Sequence, residues 1–159
     1  MKSGNLQKLT LVVLRLFIGW HFLYEGGIKL LNPGWTSRSY LLDSAWRFKG
    51  AFEWIANNSN ALAVADTLNA WGLLLIGLAL ILGIFTRIAS ISGILLLLLY
   101  YFSHPSLLSV QYMFPSEGSY FIVNKNLIEC AALWVLYAFP TSAFFGLRIY
   151  IRNKRKLFD

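Results

Sequence analysis

The stretch from Thr10 to Leu31, TLVVLRLFIGWHFLYEGGIKLL, limits what this chain can become more than any other. At ~1.5 Å per residue it covers about 33 Å as a helix, enough to cross a hydrocarbon core of ~30 Å. Yet it carries Arg15, His21, Glu25 and Lys29. An ionisable side chain at bilayer depth costs roughly 2.5–3.5 kcal/mol on insertion scales, so each of these needs a partner. At 100° per residue, Arg15, Phe22, Glu25 and Lys29 fall within about 80° of one another, with His21 at the edge of that stripe. The pattern predicts a membrane helix whose polar stripe turns inward. Leu11, Val12, Leu16, Gly19 and Leu23 are expected on the opposite, lipid-facing side.

The rest of the chain agrees with a membrane class. Hydrophobic residues make up 57% and charged residues 13% of the 159 residues, a balance foreign to soluble domains of this size. Aromatic residues reach 16%, which suggests interfacial belts together with an aromatic-lined pocket or docking surface. The net charge of +7 does not point to nucleic acid, because the basic residues gather near the chain ends, where they set topology. The single cysteine, Cys130, speaks against dithiol–disulfide chemistry carried by this chain alone and reads as a small packing residue. The first apolar run is too long for a cleavable signal peptide and is expected to persist as a helix.

The expected fold class is all-α: one integral membrane four-helix bundle over residues 1–159, with spans at about 10–31, 68–85, 88–104 and 126–147. Asn32-Pro33-Gly34 closes the first span, and Thr86-Arg87 is expected as a tight turn between the second and third. Asp66 and Thr67 stand at a cap-like position before the second span, and Ala79 with Gly83 gives a small-xxx-small spacing for close helix contact. Two long aromatic connections, Trp35–Asp66 and Pro105–Val123, separate the spans. Ser37–Leu42 and Phe48–Ala56 within the first are expected as short interfacial helices, Asn57–Asn60 as a turn, and Pro140 as a kink in the fourth span. Lys2, Lys8, Arg87, Arg148, Arg152, Lys154, Arg155 and Lys156 would share the terminal side, against Arg38, Arg47, Lys49 and Lys125 on the other. The positive-inside rule then places both termini on the cytoplasmic side and both aromatic connections on the periplasmic or outer side.

Polar residues converge at that outer rim. Glu25 and Lys29 lie near the outer end of the first span, and Asn124, Lys125, Asn126 and Glu129 begin the fourth. Lys125 and Glu129 share a helix face, and His21 lies one turn deeper than Glu25. Such a cluster could hold a quinone head group, whose carbonyl oxygens take hydrogen bonds from His, Lys or Asn and whose reduction consumes protons. The same residues could instead be an interhelix ion-pair network that fixes helix register. Arg15 is expected to find a deeper ionic or carbonyl partner, or to reach back toward the cytoplasmic side. No metal-ligand spacing and no phosphate-binding glycine loop is present, so neither a metal nor a nucleotide cofactor is expected.

The segments LRLFIGWHFLYEGGIKLLNPGW, SRSYLL, GLALILGIFTRIAS and NKNLIECAALWVL together resemble the DoxX/DoxD family of small four-helix membrane proteins. Gly19, Trp20, Gly26, Lys29, Arg87, Asn124, Lys125, Asn126 and Glu129 match the family-like pattern. The resemblance implies a redox-associated membrane protein, one branch being a subunit of a thiosulfate:quinone oxidoreductase. Three readings stay open: a quinone-interacting membrane subunit, a non-catalytic scaffold that docks a membrane or periplasmic partner through its aromatic outer loops, and a small-solute or lipid-handling bundle.

Overall fold

The computed structural model of the chain describes residues 3–45, 47–106, 112–113, 121–139, 141 and 145–146. The described residues form six α-helices in order: α1 Ser3–Leu31, α2 Arg38–Leu42, α3 Lys49–Asn57, α4 Ser59–Leu82, α5 Thr86–Ser103 and α6 Lys125–Ala138. The described residues contain no strand. Among the described residues three stretches are long and apolar enough to cross a membrane: Gly4–Leu31, Ser59–Leu82 and Thr86–Ser103. Phe17, Leu75, Leu95 and Ile128 stand among many outward-facing apolar side chains, as lipid contact requires. The Pro140 kink, the end of the expected fourth span and the basic tail lie outside the described residues.

The termini of the helices follow from local chemistry. Pro33 supplies no N–H to extend α1, and Asn32 closes the turn by accepting from Gly34 N through its side chain, at 3.2 Å. The short helices α2 and α3 fall where the sequence suggests. The expected turn at Asn57–Asn60 contracts to one residue, Asn58, whose side chain caps α4 by accepting from Asn60 N and Ala61 N. Asp66 and Thr67 therefore lie inside α4 and cap nothing. Asp66 instead accepts from the backbone N–H and hydroxyl of Ser37, tying the start of α2 to α4. The α4–α5 turn is also displaced from its expected place: it is Gly83–Phe85, with Gly83 in the left-handed region at φ 70, and Thr86 already opens α5.

The buried face of α1 is Val12, Arg15, Ile18, Gly19, Phe22 and Gly26. Arg15 and Phe22 turn inward as expected. Val12 and Gly19 do so as well, contrary to the expected lipid-facing side, which is instead formed by Val13, Phe17, Trp20, Tyr24 and Ile28. The reason is the contact with α4. A side chain at Gly77 would strike Leu23 N and Gly19 O, and one at Gly26 would stand 2.9 Å from Ala70 O. Glycine at these positions lets the two backbones touch. The closest α1–α4 backbone approach thus runs through Gly77 and Gly26, while Gly83 lies against Gly146 and the Arg15 side chain.

The most extensive interface is between α1 and α4, the next between α5 and α6; α4 meets α5 over a smaller area, and α6 touches α1 more sparingly still. Ile18, Phe22, Leu73, Ile76, Leu80, Leu97, Leu133 and Leu136 interlock between them. Arg15 is only 1% exposed; its Nη1 donates to Thr141 Oγ1 at 2.8 Å and to the Phe145 carbonyl at 2.9 Å. This is the carbonyl partner expected for it.

Adding a methyl at the α1–α4 seam should overpack two backbones that have no side chain to yield. Gly77→Ala is expected to cost about 1–3 kcal/mol, read as a lower Tm in detergent. Gly72→Ala, where a Cβ meets nothing within 4 Å, should leave Tm unchanged or slightly raised.

Candidate functional site

The C-terminal ends of α1 and α5, the middle of α4, the segment Trp35–Tyr40 and the start of α6 surround a common space. A cavity of about 400 Å³ results, within the ~300–1,000 Å³ usual for small-molecule sites. Its floor is apolar, made by the buried Phe22, Leu73 and Leu97. Its walls and roof are polar or aromatic. His21, Glu25 and Lys29 come from α1, Trp35, Thr36 and Ser37 from the turn after it, and Ser39 and Tyr40 from α2. Asn69, Tyr100, Lys125 and Asn126 complete it from α4, α5 and α6.

Lys29 is the central cation, its side chain 15% exposed. Its Nζ donates to Asn69 Oδ1 at 3.2 Å and lies 3.8 Å from Glu25 Oε2 one turn earlier. The ammonium also stands 5.2 Å from the Trp35 ring centroid and 5.6 Å from that of Tyr100. Tyr100 donates its hydroxyl to the same Asn69 oxygen at 2.9 Å. Two donors converging on one oxygen fix the amide's orientation, so its NH2 is the group left to face elsewhere. Glu25 is half exposed, and a pair at that distance and exposure contributes less than about 1 kcal/mol. Asn69 and the two ring faces are therefore the main compensation for withdrawing Lys29 from water.

α1 and α6 meet acid to base through a different pair. His21 Nδ1 and Glu129 Oε1 are 2.9 Å apart, with His21 half exposed and Glu129 mostly covered. Of the residues expected at the rim, His21, Glu25, Lys29, Lys125 and Asn126 line the cavity itself. Glu129 joins it through His21. Asn124 serves as the cap of α6, its side chain accepting from Leu127 N at 3.1 Å.

Sequence reasoning missed Asn69, Tyr100, Thr36 and Ser37. Asn69 left a readable signal, being the amide within the apolar run Leu68–Phe85. Tyr100 and Tyr101 are indistinguishable in sequence; the fold sends Tyr100 to Asn69 and Tyr101 to the Ile122 carbonyl.

A second aromatic cluster supports the roof. The His104 ring stacks on Tyr40 at 3.9 Å between centroids and meets Tyr112 at 4.6 Å. His104 Nε2 is 3.6 Å from Asp43 Oδ2, and both Asp43 oxygens accept from Met113 N. Tyr40 donates toward the Tyr100 carbonyl at 3.4 Å. Burial raises the Tyr40 hydroxyl above the usual phenol range, and the neighbouring Tyr100, Tyr112 and Asp43 raise it further.

A family model described as DoxX matches residues 10–105. That segment carries every cavity-lining residue named above except Lys125 and Asn126. No curated protein and no solved structure matches the chain.

The raised Tyr40 hydroxyl has a pH signature. In the unfolded chain a tyrosine ionises near ~10, whereas folded Tyr40 keeps its proton beyond that. Its contribution to stability is therefore complete below about pH 10 and falls as pH rises further. Thermal melts between about pH 9 and pH 11.5 should decline, and Tyr40→Phe should flatten the decline.

Proposed function

This chain belongs to the DoxX family, whose members are membrane proteins often associated with redox processes, and on that premise we propose that its outer cavity binds the head group of a membrane quinone. α6 begins the fourth span of a single four-helix domain covering residues 1–159. Both termini lie in the cytoplasm of a bacterial inner membrane, and α2 and α3 lie at the outer interface. The distribution of Lys and Arg supports that orientation.

The observation that carries the reading is the setting of Lys29. A covered ammonium, braced by an amide and two aromatic faces, stands over an apolar floor in a cavity of suitable volume. A quinone ring is flat and apolar and bears a carbonyl oxygen at either end, so it needs an apolar bed and donors at its edges. Phe22, Leu73 and Leu97 supply the bed. Lys29 and the Asn69 amide supply donors on the α1–α4 side, and Lys125 and Asn126 stand across the cavity on α6. When bound, the quinone supplies the capacity to accept electrons and protons. His21, hydrogen-bonded to Glu129 and lining the cavity, holds a proton where such chemistry consumes one. Electrons come from a partner, as in a thiosulfate:quinone oxidoreductase-like system, with this chain as the quinone-interacting membrane subunit.

Calorimetry with a tail-less benzoquinone should show saturable binding to the detergent-purified protein. Lys29→Met is expected to weaken it about tenfold or more, equivalent to about 1.4 kcal/mol. Glu53→Gln, on the exposed face of α3, should bind as wild type does. Absence of saturable binding, or equal affinity in Lys29→Met, would refute the assignment.

A further inference from the structure

A second hollow of about 320 Å³ runs along the seam between α1 and α6. Phe17 and Ile18 wall it on α1, and Ile128 and Ala132 on α6. It shares His21 and Lys125 with the outer cavity, so the two spaces adjoin at those side chains. The helices run antiparallel: Lys125 stands near the level of Glu25, Glu129 bonds His21, and Ala132 accompanies Ile18. From Glu25 to Phe17 the seam descends about 12 Å at ~1.5 Å per residue. It therefore leads from the polar rim into the span Gly4–Leu31.

The groove is open to the lipid side. Phe17 and Ile128 are largely exposed, and α6 touches α1 less than it touches α5. At that depth an occupant cannot be an irregular peptide, because its backbone groups would have no partner in hydrocarbon. A flexible hydrocarbon chain has no such groups. The walls are apolar, and the polar pair His21–Glu129 marks the point where groove gives way to cavity.

We propose that the α1–α6 groove is the tail subsite of the same ligand, which makes that ligand a quinone carrying a long prenyl-type tail and gives it lateral access from the bilayer. This rests on the head-group reading above for the identity of the ligand, and on the meeting of groove and cavity at His21 and Lys125 for its shape. The His21–Glu129 bond is the latch between α1 and α6 that a tailed molecule passes on its way in.

Two probes with one benzoquinone head, one tail-less and one with a decyl tail, separate the two claims. Both are measured on wild type and on Ile128→Trp in the same detergent, so partition of the tail into micelles cancels in the ratio. Ile128→Trp is expected to weaken the tailed probe about tenfold and the tail-less probe less than about twofold. Equal effects on both probes, or none, overturn the groove assignment and leave the head-group site standing. If only the tailed probe binds wild type and Ile128→Trp abolishes it, the groove stands and the head-group reading falls; if neither probe binds, both fall. A diazirine at the tip of the tail provides a readout independent of affinity. Adducts are expected on peptides containing Phe17 or Ile128, and adducts confined to other helices overturn the proposal. Labelling of those same peptides by a photoactivatable phospholipid that the tailed quinone does not displace would assign the groove to bulk lipid and likewise overturn it.

Discussion

Hydrocarbon gives an ion no partner, and the first helix of this protein carries ions at both ends of its apolar run. Everything else in the fold answers that constraint. At one end Arg15 is buried and finds a hydroxyl and a carbonyl beyond α6. At the other, Lys29 finds an amide on α4 and ring faces from the turn after α1 and from α5. Between them His21 reaches across to α6. α1 is thus tied to the other long helices by its polar groups, and these ties specify which face of each helix turns inward.

Those ties work only because α1 and α4 lie close together. Gly19 and Gly26 on one helix and Gly77 on the other remove the side chains that would hold the backbones apart. With the seam closed, Asn69 stands within reach of Lys29, and Leu73 beside Phe22. The same glycines that bring the helices together therefore set the floor and one wall of the cavity. The roof is held separately, by Asp66 on Ser37 and by the stack of Tyr40 on His104. Floor and roof are fastened by different contacts, so the space between them is built into the fold.

The membrane class, the helical content and the inward turn of Arg15 and Lys29 were legible because they depend on composition and on a period of 3.6 residues. Helix boundaries were less so. A run of polar residues at Asn57–Asn60 reads as a turn, yet Asn58 alone caps α4 and the helix extends two turns further out than apolarity indicates. The lipid-facing side of α1 was misassigned for a related reason. Periodicity places Val12 and Gly19 away from the charges, but it does not show that a glycine on a facing helix will draw that side in.

The candidate site divides along the same line. The sequence by itself determined that the ionisable groups of α1 must find partners, because the cost of leaving them alone in lipid is a property of the residues and their spacing. Only the tertiary structure decided which groups meet. It paired His21 with Glu129, gave Lys29 to Asn69 and two aromatic rings, and set Asn124 to capping a helix. Such choices turn on helix separation and rotation, which arise from packing between segments remote in the chain, and no local pattern encodes a distance between two helices.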